Sequence, residues 1–228
     1  MKSIVFLPVK ERSERVEKKN LRHFGLGLSL FQWKLRSLIA SSVFDAIYVS
    51  TSGAISVFKD QLNEIVDQMD NVNSAEVVLE ARPRPLQIDD STSRLAKFCG
   101  QVGADYDQII WTHCTSPFLK CATIEKALNR VVFEEYDSGL TVKRHQTFFL
   151  HNQTPVNFGD VGNFWPRSQD LEPLFEVTSG FFLGPPDIFK SGRRIGNRPL
   201  LIELNSEEAI DIDTTDDFSR AQSLVEVR

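Results

Sequence analysis

Asp211 and Asp213 stand two residues apart in the run Glu208-Ala209-Ile210-Asp211-Ile212-Asp213-Thr214-Thr215-Asp216-Asp217-Phe218. In an extended strand, residues at that spacing point to the same side, so the two carboxylates would form a pair of hard oxygen ligands. Such a pair suits Mg²⁺, which keeps open positions for the phosphates of a nucleotide. Thr214 or Thr215 reads as the N-cap of a helix in which Phe218, Ala221, Leu224 and Val225 recur at helical spacing. The same acids would also serve simply to start that helix, whose positive end favours carboxylates.

A second cluster lies near the start of the chain. Between Leu7 and Leu21, five basic side chains (Lys10, Arg12, Arg15, Lys18, Lys19) alternate with Glu11, Glu14 and Glu17. A loop at the carboxyl end of a strand, carrying Lys10, Arg12, Arg15 and Lys19, can neutralise a triphosphate and the pyrophosphate that leaves it. A solvated mixed-charge loop is the plainer alternative.

The elements that must position these clusters read as βα units. Short β-rich runs at Ser3 to Leu7, Ala46 to Ser50, Glu76 to Leu79 and Gln108 to Thr112 alternate with amphipathic stretches at Leu28 to Ala40, Ala54 to Met69, Ser91 to Gln101 and Thr123 to Phe133. This alternation predicts an α/β fold with three layers, a mainly parallel central sheet between flanking helices. Ligands of such sheets bind beyond the carboxyl ends of the strands, where the basic loop falls. The rhythm changes after Ser138. Ser138 to Val142 and Thr147 to Leu150 read as neighbouring strands, followed by an irregular stretch rich in Asn, Pro and aromatics from Asn152 to Pro173. Strand character returns at Gly180 to Leu183, Leu200 to Leu204 and Ala209 to Ile212, and a helix follows.

Composition narrows the function classes. A chain of 228 residues that is 41% hydrophobic, with its Pro and Gly scattered, predicts one domain over 1–228. A formal net charge of -5 carries no footprint for nucleic acid. The apolar run Ile4 to Val9 is too short for a secretory or membrane segment, which predicts a cytoplasmic protein with no membrane partner. Cys99, Cys114 and Cys121 are odd in number and irregular in spacing, which argues against a disulfide framework and against zinc at His113-Cys114.

The segment Leu7 to Leu21 resembles the first loop of the CTP-dependent acylneuraminate cytidylyltransferases, which activate sialic acid and related nine-carbon keto-acid sugars. Their loop reads approximately I-P-A-R-G-G-S-K-x-I-P-x-K-N-L, and Pro8, Ser13, Lys19, Asn20 and Leu21 match it without a gap. Lys10 stands for the usual Arg, Glu11 and Arg12 for the two glycines, Glu14 for the Lys and Glu17 for the second Pro. Further matches follow in order. Ser50-Thr51 resembles S-T-D, with Ser52 in place of the acid. Arg82 to Asp89 fits R-P-x-x-L-x-x-D, and Thr112-His113-Cys114-Thr115-Ser116-Pro117 fits L-Q-P-T-S-P, with His113 in place of the glutamine. Lys143-Arg144-His145-Gln146 resembles R-R-H-Q, Arg167 to Leu171 resembles R-R-Q-D-L, Glu176 to Leu183 resembles the following strand, and the acid run matches D-I-D-T-x-x-D-F.

The resemblance implies a nucleotide-diphospho-sugar transferase-like fold and transfer of CMP from CTP to a nonulosonic acid. It gives Lys10, Arg15 and Lys19 the triphosphate, with Pro8, Arg12, Ser13, Asn20, Arg82, Asp89, His113, Thr115 and Ser116 around the nucleotide. It gives Lys143, Arg144, Gln146, Arg167, Gln169 and Asp170 the sugar acid, and Asp211 and Asp213 the Mg²⁺. It also implies a homodimer with an arm at about 143–175. Three rival readings remain: an acceptor such as an eight-carbon sugar acid or a phosphonate, a glycosyltransferase using Asp211-Ile212-Asp213 as its metal motif, and an inactive binding homologue.

Overall fold

The structure is a computed structural model that describes residues 1–69, 75–133, 136–160 and 164–226. Residues 161–163 of the predicted arm lie outside that range. The first strand, β1 (Ser3–Lys10), buries side chains on both faces, as a central parallel strand must. The hairpin β2 (His23–Gly25) and β3 (Leu28–Ser29) leads into helix α1 (Leu30–Ile39). Ser29 and Gln32 close a capping box at its start. Then come β4 (Ala46–Ser52), α2 (Ile55–Asp67), β5 (Glu76–Ala81), the short α3 (Arg84–Ile88), α4 (Thr92–Val102), β6 (Gln108–Thr112) and α5 (Cys121–Phe133). The second part holds β7 (Ser138–His145), the small pair β8 (Leu150–His151) and β9 (Thr154–Pro155), and β10 (Leu174–Gly184). It ends with α6 (Pro186–Lys190), β11 (Pro199–Glu203) and α7 (Thr215–Glu226).

Seven strands form one sheet in the order β11-β7-β10-β6-β1-β4-β5. Six run the same way, and β10 runs against its neighbours β6 and β7. The period of two along β1 sorts its side chains cleanly. Val5, Leu7 and Val9 join a core with α1, α2, α5 and α7, while Ile4 and Phe6 join a second core with α4 and α6. The layers are therefore helix, sheet, helix. Among the described residues, no helix is long and apolar enough to cross a membrane.

The order of the strands creates the cleft. From β1 the chain goes to β4 and β5 on one side, then returns to lay β6 on the other. Pairing between β1 and β6 stops at Phe6 and Trp111, so the carboxyl ends of the two strands part at a topological switch point. Pro8 lies beyond that last pair, where its missing N–H leaves no gap in the β1–β6 ladder.

Two expectations about the elements need correction. Ala209 to Ile212 is not a strand: residues 206–209 form turns, residues 210–213 belong to no helix or strand, and Ile212 N donates to the Thr115 carbonyl at 2.9 Å. Its backbone bond goes to the loop after β6 rather than to the edge strand β11, and Ala209, Ile210 and Ile212 pack on the core. Thr147 to Leu150 is not a neighbour of β7 either. β7 pairs with β10 and β11, and only Leu150 and His151 form a strand, against β9. The helix expected after Thr214 is α7, which buries Phe218, Ala221 and Val225 and leaves Leu224 42% exposed.

Candidate active site

The cleft between the carboxyl ends of β1 and β6 has a volume of about 380 Å³. Its lining includes six cationic side chains, Lys10, Arg12, Arg15, Lys19, Arg82 and Arg194, against two carboxylates, Glu14 and Asp90. Pro8, Ser13, Asn20, His113 and Thr115 also line it. An excess of fixed positive charge at the end of a parallel sheet is an anion site in an otherwise acidic protein.

The basic loop and the acid pair meet. Arg15 forms an ion pair with Asp213 at 2.7 Å, and Lys19 Nζ donates to the Ile212 carbonyl at 2.6 Å. Burial pulls the Lys19 pKa down, and the charges of Asp213 and Asp211 oppose that shift. The acids are held from below. Glu208 accepts from Lys120 N at 3.1 Å and Thr123 Oγ1 at 2.6 Å, which fastens the segment to the start of α5. Ile212 is buried in the core between the two half-buried aspartates. Thr214 caps α7: its Oγ1 accepts from Asp217 N at 3.2 Å, and Asp217 accepts from Thr214 N at 2.9 Å.

One oxygen in this group has no partner. Asp211 Oδ1 is buried and unbonded, an expensive state for a carboxylate unless a ligand completes it. Among the described residues, no group of three or more His, Cys, Asp or Glu could hold a metal ion. Two carboxylates with one open oxygen fit Mg²⁺, which takes most of its ligands from phosphate and water.

The other nucleotide candidates divide by role. Asn20 is buried, and its Nδ2 donates to the Lys10 carbonyl at 2.8 Å, closing the loop on itself. Arg82 is 2% exposed, and its guanidinium is spread over Asp90 Oδ2 (2.9 Å), Ser50 Oγ (3.3 Å) and the Val9 and Ser50 carbonyls (3.2 and 3.4 Å). Lys10 shares Asp90 at 2.7 Å. Asp89 does not face the cleft: it accepts from Ser91 N and pairs with Arg94, and Asp90 takes the inward position. Ser116 is buried outside the lining, where its carbonyl accepts from Lys34 Nζ of α1 at 3.1 Å. Glu11, in place of a glycine, accepts from Ala54 N at 2.8 Å, which puts a carboxylate at the start of α2 close to Ser52.

His113 has both ring nitrogens engaged. Nε2 accepts from Trp111 Nε1 at 2.9 Å, and Nδ1 lies 3.0 Å from the Ser179 carbonyl. An indole N–H only donates and a carbonyl only accepts, so the ring is neutral with its proton on Nδ1. Burial holds its pKa down at about 4, against the opposing hydrogen bond to Ser179.

The sugar candidates lie elsewhere, and none lines the cleft of this chain. Lys143 and Arg144 are exposed on β7, opposite Glu176 and Phe175 of β10. Gln146 Nε2 donates to the carbonyls of Gln169 (3.0 Å) and Leu171 (2.9 Å), and Arg167 pairs with Asp170 at 3.0 Å. These residues knit together the loop between β7 and β10. Its outer part carries an aromatic cluster in which Phe148 stacks on Trp165 at 4.6 Å, with Phe158 against both. Trp165 is 66% and Phe164 61% exposed. Sequence reasoning passed over Asp90 and Arg194. Asp90 adjoins the matched Asp89, but Arg194 sits in a Gly- and Arg-rich turn with no motif to mark it.

A family model described as Cytidylyltransferase matches residues 4–156, more than half of the chain. The chain is 22% identical over 221 residues to N-acylneuraminate cytidylyltransferase A of Danio rerio, covering 93% of this chain but only 48% of that protein. It is 23% identical over 202 residues to a pseudaminic acid cytidylyltransferase of Campylobacter jejuni, covering 81% of this chain and 78% of the relative. A solved CMP:2-keto-3-deoxy-manno-octonic acid synthetase complexed with CTP superposes with a TM-score of 0.66 at 12% identity, over 100% of this chain and 99% of that one.

Proposed function

Since the chain belongs to the cytidylyltransferase family, we propose that it transfers CMP from CTP to a nonulosonic acid, giving a CMP-sugar and pyrophosphate. The observation that carries this reading is the contact of the basic loop with the acid pair, Arg15 to Asp213 at 2.7 Å, through an arginine that also lines the cationic cleft. The names of the two relatives, which act on N-acylneuraminate and pseudaminic acid, supply the acceptor class.

In this mechanism the triphosphate lies against the loop, with Lys10, Arg12, Arg15 and Lys19 around its oxygens. The anomeric hydroxyl oxygen of the acceptor forms a bond to the α-phosphorus as the bond from that phosphorus to the bridging oxygen breaks. The leaving pyrophosphate keeps the bond electrons, the proton of the attacking hydroxyl passes to solvent water, and the loop cations stabilise the charge on the pyrophosphate. Positioning and electrostatics supply most of the acceleration. Asp211 and Asp213 would hold Mg²⁺, which when bound screens the phosphates and stabilises charge on the transferring group. His113 orders the cleft wall between Trp111 and Ser179 and has no free nitrogen with which to act as a general base.

The arm would complete the assembly. Exposed Phe164 and Trp165 form an apolar surface suited to a second copy of the chain, and the exposed Lys143, Arg144 and Arg167 would then face the partner's acceptor pocket. Pyrophosphate release tests the reaction, using CTP and the other nucleoside triphosphates against N-acetylneuraminic, pseudaminic and 3-deoxy-manno-octulosonic acids. CTP-dependent release with a nine-carbon acid supports the proposal. Release only with the eight-carbon acid moves the acceptor class, and CTP binding with no release for any acceptor favours a binding homologue.

A further inference from the structure

We propose that Arg194 binds the carboxylate of the acceptor sugar acid and so selects keto acids over neutral sugars at this site. The inference rests on the function proposed above and names a residue that the motifs leave unassigned. The other cations of the cleft have roles already: Lys10, Arg12, Arg15 and Lys19 are assigned to the triphosphate above, and Arg82 is buried against Asp90. Among the described residues, Arg12 and Arg194 are the cleft guanidinium groups without an ion-pair partner. Arg12 is exposed on the phosphate loop, whereas Arg194 is half-buried on the opposite wall.

Arg194 is held ready for a planar anion. Its guanidinium carbon lies 4.2 Å from the Phe182 ring centroid and 5.6 Å from that of Trp111, side chains that face each other across β10 and β6. Contact with two aromatic faces restrains the guanidinium and leaves its N–H groups available for a bidentate contact. The turn that carries it is pinned as well. Gly196 N donates to Ser138 Oγ, Asn197 N and Arg198 N donate to Asp137, and Arg193 closes on the Gly196 carbonyl. Burial with no compensating carboxylate pulls the Arg194 pKa down, and its charge also opposes protonation of His113, which places it beside that wall. Charge buried without a counter-ion is costly, and an acidic ligand would relieve that cost.

Geometry separates this role from phosphate binding. The loop cations extend from β1, and Arg194 lies over β6 and β10, on the far side of the switch point. In a 2-keto sugar acid the carboxylate is bonded to the same carbon as the attacking anomeric hydroxyl. A cation that grips this carboxylate beside the triphosphate therefore also aims the nucleophile.

The test uses the full chain, CTP and the best of N-acetylneuraminic, pseudaminic and 3-deoxy-manno-octulosonic acids, each also as its methyl ester. Arg194→Met is expected to raise the acceptor KM about 10- to 100-fold while the CTP KM stays within about threefold, as loss of one charge-assisted contact predicts. Arg194→Lys should fall between, because it keeps the charge and loses the fork. The unsubstituted chain should discriminate against the ester, and Arg194→Met should not. An acceptor KM within about threefold, a parallel rise in the CTP KM, or ester discrimination retained by Arg194→Met would each overturn the assignment. If Arg194→Met no longer binds CTP, ester discrimination by Arg194→Lys decides: a reduced value supports the role and an unchanged value refutes it. A chain that binds CTP but releases pyrophosphate with none of the three acids refutes the proposed function, and the carboxylate role falls with it.

Discussion

The protonation of His113 should cost the folded protein a measurable part of its stability. The ring is neutral because Trp111 Nε1 donates to Nε2 while Nδ1 faces the Ser179 carbonyl. A second proton could enter only by breaking the contact with the indole N–H. The folded pKa of about 4 lies below the ordinary 6.5, so the unfolded chain takes up the proton first as the pH falls. Stability is therefore retained above pH 6.5, declines as the pH drops from 6.5 toward 4, and loses nothing more from this group below that. Between pH 7 and pH 5 the linkage amounts to about 2 kcal/mol, and to about 3 kcal/mol over the whole window. For a chain of this size, the smaller figure lowers Tm by roughly 4–8 °C. His113→Gln offers one acceptor and one donor without titrating, so its stability should lack this component. Thermal unfolding of both proteins at pH 7 and pH 5 isolates the effect, since carboxylates common to both cancel in the difference. Equal pH dependence of the two proteins would refute the hydrogen-bond assignment.

Asp213→Asn should reduce CTP-dependent pyrophosphate release by at least about a hundredfold if its carboxylate supports charge stabilisation worth several kcal/mol, and near-normal release would remove it from the site. Asp211→Asn should be equally inactive, yet by discharging the unpartnered buried Oδ1 it should leave Tm unchanged or higher without metal; a marked fall would show that the oxygen has a partner after all. Arg82→Met should destabilise the fold by about 3–5 kcal/mol, because Asp90, Ser50 and the Val9 carbonyl lose a buried guanidinium together, and denaturant titration measures this. Trp165→Ser combined with Phe164→Ser should shift the mass in sedimentation from dimer toward monomer at micromolar concentration, and an unchanged mass would place any interface elsewhere.

The βα half of the fold is legible because β1, β4 and β6 are buried on both faces and its helices carry an apolar stripe. Gln108 to Thr112 was read without error, and Leu28 to Ala40 and Ala54 to Met69 differ from the observed helices by one or two residues at each end. Apolar content alone misled at Ala209 to Ile212, since a run that packs on the core looks the same whether or not a neighbouring strand offers hydrogen bonds. The meeting of Arg15 with Asp213 could be expected only from motif order, because nearly two hundred residues and the whole sheet separate them in sequence. Asp90 was missed for a local reason: the turn after α3 rotates Asp89 outward to Ser91 and Arg94, and its neighbour turns in. Arg194 left no trace, as its aromatic supports come from two strands remote from it in the chain.

The reversed strand β10 has a consequence for how this protein can change. Because β7 and β10 pair from Val142 and Val177 outward to His145 and Leu174, the arm is the tip of one long hairpin rooted in the middle of the sheet. Lengthening, trimming or grafting that tip alters no crossover and shifts no register at the switch point. Under the proposed function, the part of the cleft assigned to CTP is thus insulated from the arm assigned to the acceptor. Chimaeras exchanging only residues 146–173 between relatives would move acceptor preference while leaving nucleotide handling where it was.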